Sequence, residues 1–202
     1  MLSGGLDSST TLYYALNKGF DLHALIFDYG QRHKKEIKFA VSVAKVAKIP
    51  YQIVKINLPW KGSSLTDKTI ALPNNRKVSD LSQKIPSTYV PGRNTIFLSY
   101  AFSYAETIEA SHIFIGANAI DYSGYPDCRP EYIDAFQKLL EKAGARTKVK
   151  ISAPLLHMTK KEIVKLALKL KLDINKTWSC YAGGKEPCGK CDSCIIRGEA
   201  LK

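Results

Sequence analysis

Residues 3–11 read SGGLDSSTT, and this is the stretch of the chain best equipped to grip an anion. Gly4 and Gly5 let the backbone approach oxygens that a side chain would block. A loop of N–H groups opening a helix favours phosphate through its donors and through the helix dipole. Ser3, Ser8, Ser9 and Thr10 add hydroxyl donors. Asp7 is out of place beside phosphate unless it caps the helix or helps hold a magnesium ion bridging the phosphates. The Walker lysine is missing, and the glycine spacing is not that of a dinucleotide fold. A glycine turn leading into a capped helix is the plainer reading of the same residues.

The second cluster is made of sulfur. Cys180, Cys188, Cys191 and Cys194 follow the spacing C-x7-C-x2-C-x2-C, which takes up four of the five cysteines. Two-residue gaps bring successive sulfurs to one point, and four thiolates close a tetrahedral zinc shell with no open position. Such a site contributes folding free energy, not chemistry. An iron–sulfur cluster is the rival, because C-x2-C-x2-C also occurs in ferredoxin-type runs. Disulfides do not suit a reducing compartment.

Alternating strands and helices must position these groups. DLHALIF (Asp21–Phe27) and YQIVKI (Tyr51–Ile56) read as short buried strands, and Ile37, Ala40, Val41 and Ala44 between them keep helical spacing. Residues 57 to about 91 carry Pro59, Pro73, Pro86 and Pro91 and read as a long irregular flap or binding loop. A helix is expected from Asn94 to about Ala110, with Phe97, Ala101, Tyr104 and Ile108 on its inner face. HIFIG (His112–Gly116) reads as a strand, then comes a helix bearing Ile133, Phe136, Leu140 and Ala143, and VKIS as another strand. Thr159 and Glu162 form a capping-box pattern for a helix bearing Ile163, Leu166, Ala167 and Leu170. His33, His112 and Cys128 read as surface or packing residues, and Cys128 is not a nucleophile.

The chain has 202 residues, 45% hydrophobic and 24% charged, and no apolar run reaches the roughly 18 residues of a membrane span. With no secretory signal in view, a cytoplasmic location is the default expectation. The net charge of +12 brings nucleic acid into consideration, but the lysines are spread along predicted helices as a solvated face.

The pattern SGGLDSS resembles the PP-loop of ATP pyrophosphatases. FDYGQRH (Phe27–His33), YVPGRN (Tyr89–Asn94), DYSGYPDCR (Asp121–Arg129) and WSCY ahead of the cysteines occur with it in order. Together they resemble the 7-cyano-7-deazaguanine synthase family from residue 3 to the C-terminus. The resemblance implies an α/β fold: a Rossmann-like parallel sheet flanked by helices, with a PP-loop catalytic domain over 1–175 and a zinc-binding lobe over 176–202. It implies conversion of 7-carboxy-7-deazaguanine, ATP and ammonia to the nitrile through an adenylated acid and an adenylated amide. The implied companions are Mg2+, one structural Zn2+ and small-molecule substrates, in a homodimer without nucleic acid or membrane.

Site residues then follow as expectations. Leu2, Ser3, Gly4, Gly5, Leu6, Asp7, Ser8, Ser9, Thr10, Thr11 and Leu12 cradle ATP. Phe27, Asp28 and Tyr29 border the adenosine. Arg93 binds the substrate carboxylate or the α-phosphate, unless it pairs with a structural carboxylate. Asn94 belongs to the substrate pocket, Tyr89 or Tyr122 stacks on the deazapurine, and Asp121 or Asp127 reads its N–H edge. Asp127 is alternatively part of a turn. Arg129 binds phosphate or substrate, and Asp7, Ser8, Arg93, Asp121 and Arg129 form the catalytic set. Another PP-loop reaction, such as tRNA sulfur transfer, is the alternative enzyme; a non-catalytic zinc module for nucleic acid is the alternative class. In this family an apolar strand precedes the glycines, and Leu6 stands where a polar residue is common. Upstream apolar residues, or another segment of chain, are therefore expected to complete the sheet.

Overall fold

ALIFD has no polar residue until its last position, so it forms a strand that can be buried on both faces. The computed structural model, which describes residues 1–77, 85–118 and 124–202, places it as β1 (Ala24–Asp28). Its period of two sorts the core. Leu25 and Phe27 join Leu98, Ile113 and Phe136 on one face, while Ala24 and Ile26 join Leu2, Leu12, Ala40 and Val43 on the other.

α1 (Leu6–Asn17) precedes β1, and α2 (Lys35–Val46) leads to β2 (Tyr51–Lys55). β1 and β2 pair in parallel with Ala24 opposite Tyr51, the strand–helix–strand unit expected from the spacing. α3 (Arg93–Thr107), β3 (His112–Phe114), α4 (Pro130–Ala143) and β4 (Lys150–Ser152) continue the plan, with β3 and β4 parallel. α5 (Lys160–Lys169) starts with the expected capping box: Thr159 N–H donates to Glu162 Oε2 at 2.7 Å and Glu162 N–H to Thr159 Oγ1 at 3.3 Å. α6 (Asp192–Ala200) has no counterpart in the sequence expectations, because the cysteines and glycines around it obscure its helical pattern. Its Ala200 packs with Leu6, Leu155, Ile163 and Ala167 in a third apolar cluster. None of the described helices is long and apolar enough to cross a membrane.

Two expected faces shift. The buried residues of α3 are Leu98, Ala101 and Ala105, whereas Phe97 and Tyr104 flank the core and Ile108 is exposed. Ala143 is exposed at the end of α4. A pattern of apolar residues fixes the helix but leaves its rotation open by one position, and packing against β1 and β3 decides it.

Ala24 N–H donates to Pro50 O, and Ile56 N–H to Asp28 O, so the even residues of β1 bond toward β2 and the odd ones face away. On that far side Leu2 N–H donates to Leu25 O at 2.8 Å, and the Met1 nitrogen donates to Phe114 O at 2.8 Å. Met1 and Leu2 thus bridge the two ladders at one end. Beyond them lies a cavity of about 450 Å3 lined by Phe20, Leu25, Ala105, His112 and Phe114 among others.

The chain leaving this bridge is held by close backbone approaches. Gly4 has φ +78°, and a Cβ there would lie 2.5 Å from Ala40 N and from Glu36 O of α2. A Cβ on Gly116, just past β3, would lie 2.8 Å from Ser8 N. Gly4→Ala therefore combines left-handed strain of about 1–2 kcal/mol with overpacking of about 1–3 kcal/mol against backbone that cannot step aside. Thermal denaturation should show Tm lowered by roughly 5–15 °C; an unchanged Tm would mean that α2 is free to move.

Candidate functional site

The loop that Gly4 and Gly116 fix opens α1 at the C-terminal ends of β1 and β3, the place where parallel sheets receive ligands. A cavity of about 320 Å3 is lined there by Ser3, Gly5, Asp7 and Ser8, with Tyr29 and Glu36 after β1, Arg93 and Asn94 at the start of α3, and Lys160 at the start of α5. Ser3 and Ser8 hydroxyls lie 2.9 Å apart, and Ser3 N–H donates to Ser8 Oγ at 3.1 Å, which draws the loop closed. The first N–H groups of α1 have no partner within the helix, and the residues that carry them, Leu6, Asp7 and Ser8, line this space, the setting in which helix N-termini bind anions.

Asp7 does not cap α1. Gly5 holds that position without a side-chain bond. Asp7 Oδ2 instead accepts from Lys160 Nζ at 2.7 Å, while Oδ1 is buried and has no partner. An orphaned carboxylate oxygen beside an anion cradle is a hard donor of the kind Mg2+ takes, so the residues fit that ion. Lys160 was indistinguishable in sequence from the solvated lysines around it, and only the ion pair marks it out. The rest of the expected cradle divides. Leu2, Leu6 and Ser8 line the cavity, but Ser9, Thr10, Thr11 and Leu12 are buried around α1 and lie outside the lining. Thr10 Oγ1 bonds to Leu6 O at 2.8 Å, within its own helix.

On the opposite wall Arg93 Nη1 donates to Tyr29 Oη at 3.0 Å, and burial pushes the Tyr29 phenol up to about 12. Gln31 ties the turn together: its Oε1 accepts from Tyr29 N at 2.8 Å and its Nε2 donates to Phe27 O at 3.1 Å. The same amide hydrogen-bonds Glu36, whose carboxyl is pushed by burial from 4.5 up to about 7 against the pull of Arg93 and Gln31. Glu36, Gln31, Lys160 and Tyr125 were not singled out in the sequence, although Gln31 and Tyr125 lie inside quoted motifs.

The second half of the expected pocket is placed less directly. Asp127 is buried and accepts from Asn94 N–H at 3.1 Å, while Asn94 Nδ2 donates to Asp127 O at 2.9 Å. Asp127 thus serves the Pro126–Cys128 turn and the start of α3, and lies outside the lining. Tyr89 Oη accepts from Gly92 N–H at 3.2 Å and also lies behind the wall; Tyr125, bonded to Thr88 Oγ1 at 2.7 Å, faces the cavity instead. Arg129 is exposed at the N-cap of α4, apart from the lining. Asp121 and Tyr122 lie outside the described residues. Burial pushes the Cys128 thiol up to about 12, so it stays protonated. His112 packs edge-on to Phe20, but His33, expected as a surface or packing residue, reaches the cavity wall.

The sulfurs of Cys180, Cys188, Cys191 and Cys194 all lie within 4.8 Å of one another. A tetrahedral zinc with bonds of ~2.3 Å sets sulfurs ~3.8 Å apart, so the four fit that ion after a small contraction. Cys188 N–H points at Cys180 Sγ (3.3 Å) and Cys191 N–H at Cys188 Sγ (3.4 Å), an arrangement that favours thiolates. The described part of the 57–91 segment is docked and not a free flap. Arg32 Nη1 holds it through Ser64 O at 3.0 Å and Ile70 O at 3.1 Å, Asn75 N–H donates to Lys190 O at 2.9 Å, and the Arg76 guanidinium grips the fully buried Asp192 carboxylate. Trp178 N–H donates to Gly4 O at 2.8 Å, linking the cysteine lobe to the glycine loop.

Two measurements check these assignments. Metal analysis should find about one zinc per colourless chain, and removing it with a chelator should lower Tm; a brown protein with visible absorbance would mean an iron–sulfur cluster. Glu36 holds its proton more tightly when folded (about 7) than its ordinary value of 4.5, so its contribution to stability is lost as pH rises between those values. Glu36→Gln should therefore flatten the pH dependence of Tm across that window and leave Tm at pH 8 equal to or above the parent's. A steeper dependence would contradict the burial of the carboxyl.

The comparisons with known proteins agree with the geometry. The family described as "Queuosine biosynthesis protein QueC" matches residues 1–202. Proteins named 7-cyano-7-deazaguanine synthase from Thermoplasma volcanium and Nostoc punctiforme are each 52% identical, across 98% of this chain and 83% and 91% of theirs. One from Trichodesmium erythraeum is 52% identical across 100% of this chain and 94% of its own. Among solved structures, the NMN synthetase of Francisella tularensis superposes with a TM-score of 0.51 at 16% identity, covering 91% of this chain and 66% of that one, a likeness of fold alone. With an α/β fold, a glycine loop at the carboxyl ends of parallel strands and a four-cysteine centre, the chain belongs to the QueC family of queuosine biosynthesis proteins.

Proposed function

We propose that the protein converts 7-carboxy-7-deazaguanine and ammonia to 7-cyano-7-deazaguanine at the expense of two ATP molecules. The observation that carries this reading is the cavity at the glycine loop, where anion donors and a free carboxylate oxygen face a fixed cation, Arg93. Carboxylate and amide oxygens are poor leaving groups, so each must be turned into an adenylate before nitrogen chemistry can proceed. The loop N–H groups, Ser3 and Ser8 hold the departing pyrophosphate and Lys160 adds positive charge beside it. Arg93, always protonated and forked, holds the carboxylate against the α-phosphate. Asp7 Oδ1 would hold Mg2+, which neutralises charge on the phosphates. Phe97, Tyr125 and Trp178 line the same cavity and would limit the bulk water that hydrolyses the adenylate.

The zinc segment, residues 176–202, is read as structural: the four thiolates leave no position open for substrate. Its bond to Gly4 makes the order of the loop depend on the lobe. Substrate and nucleotide are small molecules, and the scattered lysines serve no polynucleotide. A cytoplasmic homodimer is the assembly that the resemblance supports, and the outer edge of β2, with Ile53 exposed, gives it a surface.

Incubation with ATP, ammonium and 7-carboxy-7-deazaguanine should yield AMP, pyrophosphate and the nitrile, read by mass. AMP release that required tRNA would favour the sulfur-transfer alternative. No ATP turnover by zinc-loaded protein would sink the enzyme reading altogether. Asp7→Ala should abolish turnover and leave zinc content unchanged, since the carboxylate faces the nucleotide site and not the cysteines.

A further inference from the structure

The proposed reaction moves protons that the glycine loop cannot accept. Ammonium is the form present at neutral pH, yet only ammonia has the lone pair to attack an acyl-adenylate. Nitrile formation then strips the remaining two N–H protons from the amide nitrogen. A proton acceptor must therefore stand beside the reacting carbon.

Among the described residues lining the cavity, only Asp7 and Glu36 carry carboxylates. Asp7 is held by Lys160 at 2.7 Å and belongs to the phosphate end. Glu36 sits in the first turn of α2, with its backbone against Gly4 and its carboxyl under the influence of Arg93, the cation that grips the reacting group. Of the other titratable groups lining the cavity, the Met1 amine is spent on Phe114 O at 2.8 Å, Tyr125 is bonded to Thr88 Oγ1 at 2.7 Å, and Lys160 is paired with Asp7. Arg32 is spent on the carbonyls of Ser64 and Ile70, and Arg197 on Thr177, Ser179 and Ile174. Lys35 turns away to Gly184 O and the Trp178 ring. Burial holds Tyr29 and Cys128 protonated. The His33 ring is packed against Gly183, and its Nδ1 already accepts from Lys35 N–H at 3.3 Å.

Resting on the nitrile-synthase reading, we propose that Glu36 is the base that serves both nitrogen steps. In the first, its carboxylate takes a proton from ammonium, the freed lone pair bonds to the acyl carbon, and the C–O bond breaks with its electron pair to AMP. The added nitrogen sheds a second proton to water, leaving the primary amide. In the second, the amide oxygen has displaced pyrophosphate from a new ATP. Glu36 takes one N–H proton and water the other, the C–O bond again breaks toward AMP, and the nitrogen electrons close the triple bond. No electron acceptor is needed, and Glu36 returns each proton to solvent between steps. A carboxyl titrating near the working pH suits such a relay.

Glu36→Gln tests this through the choice of nucleophile. Hydroxylamine is largely a free base at neutral pH and needs no proton acceptor before attack. The variant should retain pyrophosphate–ATP exchange and form the hydroxamate close to the parent rate, while turnover with ammonium falls about 10²- to 10⁴-fold. Its residual ammonium rate should keep rising with free ammonia at alkaline pH, where the parent levels off. Glu36→Asp should keep a carboxylate and recover part of the ammonium rate.

Equal losses with hydroxylamine and ammonium would overturn the proposal. So would a raised KM for 7-carboxy-7-deazaguanine at unchanged kcat, which would make Glu36 a reader of the ring. Asp121→Asn, run in parallel, overturns it if that variant alone shows the nucleophile-dependent loss. Failure of the parent itself to make nitrile would strike the proposed function and not the assignment of Glu36 within it.

Discussion

The architecture depends on how closely the backbone around Gly4 is approached. Its absent side chain lets the loop lie against Glu36 O and Ala40 N of α2, while its own carbonyl receives Trp178 N–H. Gly116 repeats the device from the β3 side, against the first turn of α1. An anion cradle works only if its donors are fixed before the ligand arrives, because ordering them at binding would cost affinity. Three backbone contacts from three parts of the chain supply that order here.

This arrangement explains why a structural metal lobe belongs to a small-molecule site. The cysteine segment has too few apolar residues to order itself, and its own cluster is little more than Trp178, Cys180 and Cys191. A metal ion held by the four thiolates would supply the missing free energy, and the Arg76–Asp192 pair with the Asn75–Lys190 bond ties this segment to the long irregular one. Asp192 is fully buried, so removing Arg76 would leave a charge without its ion-pair partner in the interior, a far larger loss than that of a surface pair.

Charge is distributed by burial. The surplus lysines lie mostly in solvent, whereas the ionic groups of the cavity are few and held at fixed places: Asp7 with Lys160, and Glu36 with Gln31 near Arg93. A low-dielectric wall magnifies each of these interactions and moves one carboxyl into the range where it exchanges protons near neutral pH. The overall +12 says little about chemistry; these few side chains say most of it.

What was legible in the sequence was what local chemistry dictates. The glycine loop, the strand–helix–strand unit, the Thr159–Glu162 cap and the four-cysteine spacing each depend on residues close together in the chain, and each is present. The family could be read from five short motifs for the same reason. The rotation of α3, the helix α6 and the withdrawal of Tyr89, Asp127 and Arg129 from the cavity could not, since they are set by packing between distant segments. Lys160 and Glu36 are the clearest cases: in sequence they are two more charges on amphipathic helices. They stand out only because the fold carries one across to Asp7, 153 residues away, and sets the other in the cavity wall under the influence of Arg93, where desolvation raises its carboxyl.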